Sequence, residues 1–205
     1  KWSPEMAYVL GFFAADGWLI KNRRGAHFLG LQITDRDLLD KIKEVLCSNH
    51  KIGERKMPVP QKTAYSLQIG SKKMFDDLCA LGITPRKAHR LSFPPVPKEC
   101  ITHFVRGYFD GDGNVWSGFL HKKRVHPTRS IRVVFSSGSK IFLKNLHARI
   151  QSAIGAEGVL NYWSGAYRLN YSKQGSLLLY RFMYNDGAGI YLERKKRVFE
   201  DFMGN

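Results

Sequence analysis

Apolar and polar positions along this chain fall into two rhythms, and the same order of rhythms comes twice. Residues 4–15 are almost continuously apolar and are opened by Ser3-Pro4-Glu5. A capping hydroxyl, a proline at the first helical position and an acid in the first turn predict a helix start. Asp16-Gly17 follows, then the strand-like WLIK and AHFLGLQI. Residues 37–46, DLLDKIKEVL, carry Leu38, Leu39, Ile42 and Leu46 in the stripe of an amphipathic helix. Short strands near 50–57 and 64–70 and a helix near 71–80 complete the series. The second series runs from a helix over 98–111 through Asp112-Gly113, NVWSGFL and SIRVVFSS to a helix over 140–150. There Phe142, Leu143, Leu146 and Ile150 repeat the stripe, with strands near 158–163 and 166–171 and a helix near 173–184 after it. Each half therefore reads αββαββα.

Between the halves stands SFPPVPKE, residues 92–99. Three prolines within four positions exclude helix and central strand, and predict a semi-rigid linker. The expected division is 1–91, the linker 92–99, and 100–205, in an α+β fold.

Both apolar helices carry small residues four apart, Ala7, Gly11 and Ala15 in one and Gly107 and Gly111 in the other. Such residues share a helix face. Glycine inside a helix costs about 1 kcal/mol relative to alanine, a cost offset where two backbones must approach closely. The two helices are therefore expected to pack on each other, with Gly17 and Gly113 in the left-handed position beyond each end. Parallel packing brings Asp16 and Asp112 side by side at helix ends that already carry partial negative charge. Two carboxylates there repel and call for a cation. Mg²⁺, or Mn²⁺ or Ca²⁺ in its place, accepts carboxylate, water and phosphate oxygens, and the end carbonyls of Ala15 and Gly111 are further candidate ligands. A single Asp-Gly is explained by a turn. Two of them, each closing a small-residue helix in a repeated unit, point to a shared site suited to phosphodiester cleavage.

Charge sharpens the picture. Lys and Arg number 33 against 17 acids, a net of +16. Both halves are basic, with 16 basic against 9 acidic residues up to position 97 and 17 against 8 beyond it. That balance predicts a polyanionic partner, above all nucleic acid. The 43% of hydrophobic residues suffice for a core, but no apolar run reaches membrane-spanning length. Cys47, Cys79 and Cys100 form no CxxC pair, so neither a zinc site nor a disulfide framework is suggested, and a reducing intracellular setting is expected, bacterial cytoplasm or organelle. The start carries no signal-peptide pattern and no initiator Met, as expected of a chain trimmed or cut from a longer product.

VLGFFAADG (9–17) and VRGYFDGDG (105–113) resemble the paired signature of the LAGLIDADG homing endonucleases in their single-chain form. The resemblance covers nearly the whole chain. It implies a pseudo-symmetric monomer without an obligate protein partner, in which the motif helices form the interface and two saddle-shaped antiparallel sheets lie in the major groove of double-stranded DNA. It further implies that Asp16 and Asp112 bind divalent metal and cut both strands of a long asymmetric target, leaving 3′ overhangs, in an intron or intein homing setting. The inner acid of the signature is Asp110 in the second copy and Ala14 in the first. By the same resemblance Lys87 and Lys195, with Lys196 as the alternative, stabilise phosphate charge, and Asp35 and Ser139 stand near the scissile phosphates; helix capping explains those two equally well. The alternative function is a non-cutting nucleic-acid binder on the same fold, an intron maturase or a transcription regulator. Loss of the acids would mark it, and both are present.

Strand alternation puts Leu29, Leu31 and Ile33 under the helices and Gln32 on the other face, with Ser136 as its counterpart. Further candidates for DNA contact are Lys21, Asn22, Arg24, Arg55, Lys56 and Lys62 in the first half. In the second they are His121, Lys122, Arg124, Arg129, Arg132, Asn161, Trp163 and Arg168. Most such contacts set affinity and salt dependence rather than sequence choice. Trp18 and Trp116, in equivalent places after the Asp-Gly pairs, are expected to pack on the sheets.

Overall fold

The computed structural model describes residues 2–56, 58, 63–121, 123–185 and 189–204. Its first half runs α1 (Pro4–Asp16), β1 (Trp18–Lys21), β2 (His27–Ile33), α2 (Arg36–Val45), β3 (Ile52–Arg55), β4 (Ala64–Gly70) and α3 (Lys72–Ala80). The second runs α4 (Ile101–Asp112), β5 (Gly113–Leu120), β6 (Thr128–Ser137), α5 (Lys140–Ile154), β7 (Gly158–Trp163), β8 (Ala166–Tyr171) and α6 (Lys173–Tyr184). One element goes beyond the repeat, α7 (Glu193–Met203). Only Lys195, Phe199 and Phe202 of it are buried, and a lysine on the inner face breaks the apolar stripe that would reveal such a helix. Each half has one antiparallel four-stranded sheet, ordered β1-β2-β4-β3 and β5-β6-β8-β7.

The helices cover one face of each sheet. Leu29, Leu31, Leu67 and Ile69 are buried there in the first half, and Ile131, Val133, Phe135, Leu169 and Tyr171 in the second. The opposite faces mix polar residues such as Gln32, Ser66, Arg132 and Arg168 with exposed apolar ones, Ile20, Trp116, Val159 and Trp163. No helix of the described residues is long and apolar enough to cross a membrane.

The centre of the molecule is the α1–α4 contact. Every residue from Ala7 to Ala14 is buried, so α1 is core on all sides. A methyl on Gly11 would overlap the carbonyl of Phe104, and one on Gly107 the carbonyl of Tyr8. The small residues are thus needed for backbone contact between the halves. Gly17 and Gly113 have a different reason from the expected left-handed turn. Both are extended, at φ −73° and −87°. What excludes a side chain is the ring of Phe13 or Phe109 folded back against each.

The linker is pinned rather than free. Phe93 packs edge-on to Phe104 at 5.0 Å and stacks near Phe142 at 5.9 Å, and Pro94 and Val96 are buried. Register also separates the two tryptophans. Trp18 opposes Gly30 and its ring lies over that glycine, filling the space a side chain would take. Trp116 opposes Arg132 two residues further along its sheet and is 40% exposed, so the two are not equivalent.

Candidate active site at the ends of the paired helices

Because α1 and α4 pack side by side in one direction, their last residues meet. A methyl on Gly111 would come within 3.2 Å of Asp16 Oδ2. Asp16 opens to solvent there, and Asp112 is half-buried. Protein crowding raises both carboxyls above the ordinary aspartate range. For Asp112 the burial is reinforced by the negative charge of Asp16, and the group is pushed up to about 6. For Asp16 burial raises the value while Lys195 and Lys87 hold it down.

Those two lysines close the helix ends. Lys87, in the short turn Lys87–His89, donates to the Ala15 carbonyl at 2.8 Å. Lys195 is buried and reaches the carbonyls of Phe109 (2.7 Å), Asp110 (2.8 Å) and Gly113 (2.6 Å), with Gly111 more distant at 3.3 Å. An ammonium on a helix C-terminus meets the negative end of the dipole and satisfies orphan carbonyls. Burial lowers both lysines, Lys195 to about 8, with the nearby aspartates opposing the shift. Lys196 is not an alternative, since it pairs with Glu200 at 3.2 Å and lies over the Tyr191 ring. The carbonyls of Ala15 and Gly111, expected to be free for a metal, are instead turned to these lysines.

Among the described residues no third Asp, Glu, His or Cys joins a metal-holding group. Two crowded carboxylates whose mutual repulsion a cation relieves still fit a hard divalent ion, because such ions complete their shell with waters and substrate phosphates.

Asp35 and Ser139 occupy equivalent places, as N-cap residues of α2 and α5, yet differ in role. Asp35 makes no capping bond. Its carboxylate pairs with Arg194 of the other half at 3.3 Å beside a cavity of about 150 Å³, lined also by Asp16, Gln32 and Asp110. Ser139 follows the capping reading. It is buried, accepts the Phe142 N–H at 3.3 Å and donates to the Leu91 carbonyl at 2.7 Å. Its hydroxyl is committed to structure. Ser139→Ala is therefore expected to lower stability by about 1–2 kcal/mol, as thermal melting would show.

Two further residues, Arg194 and Tyr108, stand at the site. Tyr108 donates to the Ser136 carbonyl at 2.8 Å and lies 3.5 Å from Asp112 Oδ2. The Arg-Lys pair repeated at 86–87 and 194–195 was the available signal for Arg194.

The open sheet faces carry several of the expected DNA contacts. Gln32 opposes Ser66, and Arg55 lies on the same face of the first sheet. On the second, Ser136, Arg168 and Asn161 stand in one row across three strands, with Arg132 and the exposed Trp163 on the same face. Arg24, Lys56, His121 and Arg124 are exposed at the ends of strands. Three expectations change. Arg129 turns to the helix side, bonding the Asp201 carbonyl at 2.9 Å and lying over the Phe202 ring. Lys21 falls in register with Leu19 on the helix-covered face. The Asn22 side-chain Oδ1 accepts the N–H groups of Arg24 and Ala26, so it shapes its own turn. Lys62 and Lys122 lie outside the described residues.

Known proteins share the fold described above. Residues 3–80 match the sequence model of a LAGLIDADG-like domain. Two curated proteins of Thermococcus kodakarensis are similar in sequence. A replication factor C small subunit is 28% identical over 54% of this chain and 12% of its own length; a DNA polymerase is 24% identical over 80% and 9%. The chain thus spans about a tenth of the length of either. Among solved structures, the LAGLIDADG meganuclease I-AabMI bound to uncleaved DNA superposes with a TM-score of 0.66 at 14% identity, over 99% of this chain and 90% of that one. The homing endonuclease I-DmoI in complex with DNA and Ca gives 0.65 at 15% identity, over 96% and 97%. The same protein has been solved with DNA and Mn, at 0.59 and 16% identity, over 88% and 96%.

Proposed function

We propose that this chain, which carries a LAGLIDADG-like domain over residues 3–80 and has the fold of the LAGLIDADG homing endonucleases along its length, is a site-specific double-strand DNA endonuclease. The observation that carries the reading is the meeting of Asp16 and Asp112 at the ends of α1 and α4, each helix end closed by a buried or half-buried lysine. Asp16 and Asp112 would hold divalent metal, Mg²⁺ by preference. Bound there, such an ion supplies an activated water and stabilises the leaving oxygen of a phosphodiester.

The chain's own residues supply the rest. Lys87 and Lys195 neutralise the helix ends, so that two carboxylates stay crowded together without unfolding the site. Their positive charge also offsets phosphate charge brought into the cleft. The polar faces of the two sheets differ in sequence, which suits a long asymmetric target read in the major groove. Hydrolysis on both strands, one at each half, would leave 3′ overhangs.

The test is selection of cleaved sites from a random duplex library with Mg²⁺. A defined target with breaks on both strands is the expected result. Binding to duplex without breaks would leave a non-cutting regulator, and preference for RNA a maturase. A pH dependence follows as well. Protonated carboxyls do not bind metal, and Asp112 ionises near 6. Apparent affinity for divalent metal should therefore rise with pH through about 6 and level off above it, as isothermal titration of the DNA-free protein would show.

A further inference from the structure

The two lysines serve equivalent helix ends, but the segments that carry them are held differently. Lys87 lies in a segment braced by the opposite half. Ser139 Oγ bonds the Leu91 carbonyl, and the Ala88 carbonyl packs so close to Gly138 that a methyl there would stand 2.6 Å from it. Lys195 is reached through the segment between α6 and α7, and α4 grips the end of α6 and that segment at three backbone groups. Arg106 donates to the carbonyls of Met183 (2.5 Å) and Ile190 (3.0 Å), and Asp110 Oδ2 accepts the Leu192 N–H at 2.8 Å. Leu192 is the N-cap of α7, and the Lys195 N–H bonds back to its carbonyl at 3.0 Å. The same Asp110 oxygen accepts the Tyr8 hydroxyl at 2.7 Å. In the first half the equivalent residue is Ala14, which offers no acceptor.

We propose that Asp110 is a positioning residue for one of the two cleavage centres only. It fixes Leu192, and through Leu192 the start of α7, so that Lys195 meets the end of α4. The inference rests on the reading of the chain as a double-strand endonuclease. A buried N–H left without its acceptor moves or takes up water, and either displaces the lysine three residues on. The first half loses only the Tyr8 hydrogen bond, and its lysine is held by other contacts. The two strands of a target are therefore cut under different structural control.

The experiment measures single-turnover cleavage of each strand separately, with distinct 5′ labels, on a target recovered from the library. Lys195→Met identifies the strand that depends on Lys195. Asp110→Ala should slow that same strand by about tenfold or more relative to the other. Asp110→Asn keeps an amide oxygen able to accept both hydrogen bonds, and should keep the wild-type ratio of strand rates. Tyr8→Phe removes only the hydroxyl and should also keep it. Arg106→Gln loosens the same segment from its other end and should shift the ratio in the same direction, which keeps the idea testable if Asp110→Ala does not fold. Equal slowing of both strands by Asp110→Ala and Arg106→Gln, or no slowing, overturns the proposal. So does an Asp110→Asn ratio shifted as far as that of Asp110→Ala, because charge and not the hydrogen bond would then be operative. A wild-type chain that cuts neither strand overturns the endonuclease reading itself.

Discussion

Asp112→Asn, and separately Asp16→Asn, should abolish double-strand cleavage by roughly a thousandfold or more while leaving duplex binding intact. Asparagine keeps the shape of the site and removes the charge that holds a divalent ion. Binding is carried elsewhere, by basic and polar residues spread over two sheets. A second effect runs the other way. In the wild type, burial and then Asp16 disfavour the ionised form of Asp112, so the pair strains the metal-free fold at neutral pH. Removing either charge relieves that repulsion. The sign is fixed by the raised value, since the contribution to folding is fully present only below the ordinary 3.8 and is lost as pH rises through about 6. The inactive variants should therefore melt higher than the wild type at pH 8 without metal. Plasmid cleavage, gel shift and thermal melting together read all three results. Full double-strand cutting by either variant would remove the aspartates from the mechanism.

Gly107→Ala should be, with Gly11→Ala, among the most damaging single methyls at the described residues. It would overlap the Tyr8 carbonyl, a backbone atom at the centre of the contact between halves. Relief requires α1 and α4 to separate, which also parts Asp16 from Asp112. A loss of about 3 kcal/mol or more is expected, or a melting temperature lower by roughly 10 °C for a chain of this size. Gly70→Ala is the fitting control, because its methyl would only touch the Phe28 ring at an ordinary 3.4 Å. If Gly107→Ala melts and cuts like Gly70→Ala, the close helix contact is not what holds the halves together.

Much of this was legible in the amino-acid pattern, and the reason is local. Periodicity set the strands and the helices of the repeat, and small residues four apart marked the face on which α1 and α4 meet. What escaped the pattern depends on contacts between distant parts. The helix α7 hides its inner face behind Lys195, whose burial makes sense only against the carbonyls of α4. Asp35 and Ser139 occupy the same position in the repeat, yet one faces Arg194 and the other caps its helix. Arg129 and Lys21 look like DNA contacts by charge, and strand register alone turns them to the helix side.

Leu91 and Arg194 each belong to the segment carrying one half's lysine, and each is held by a residue of the other half, Ser139 and Asp35. The halves are therefore not interchangeable modules. A chimera that joins the first half of this chain to the second half of a relative would carry both aspartates and both lysines, yet mismatch the braces that seat them. Transplanting the brace pairs together with the half is the design rule that follows for redirecting such a scaffold to new targets.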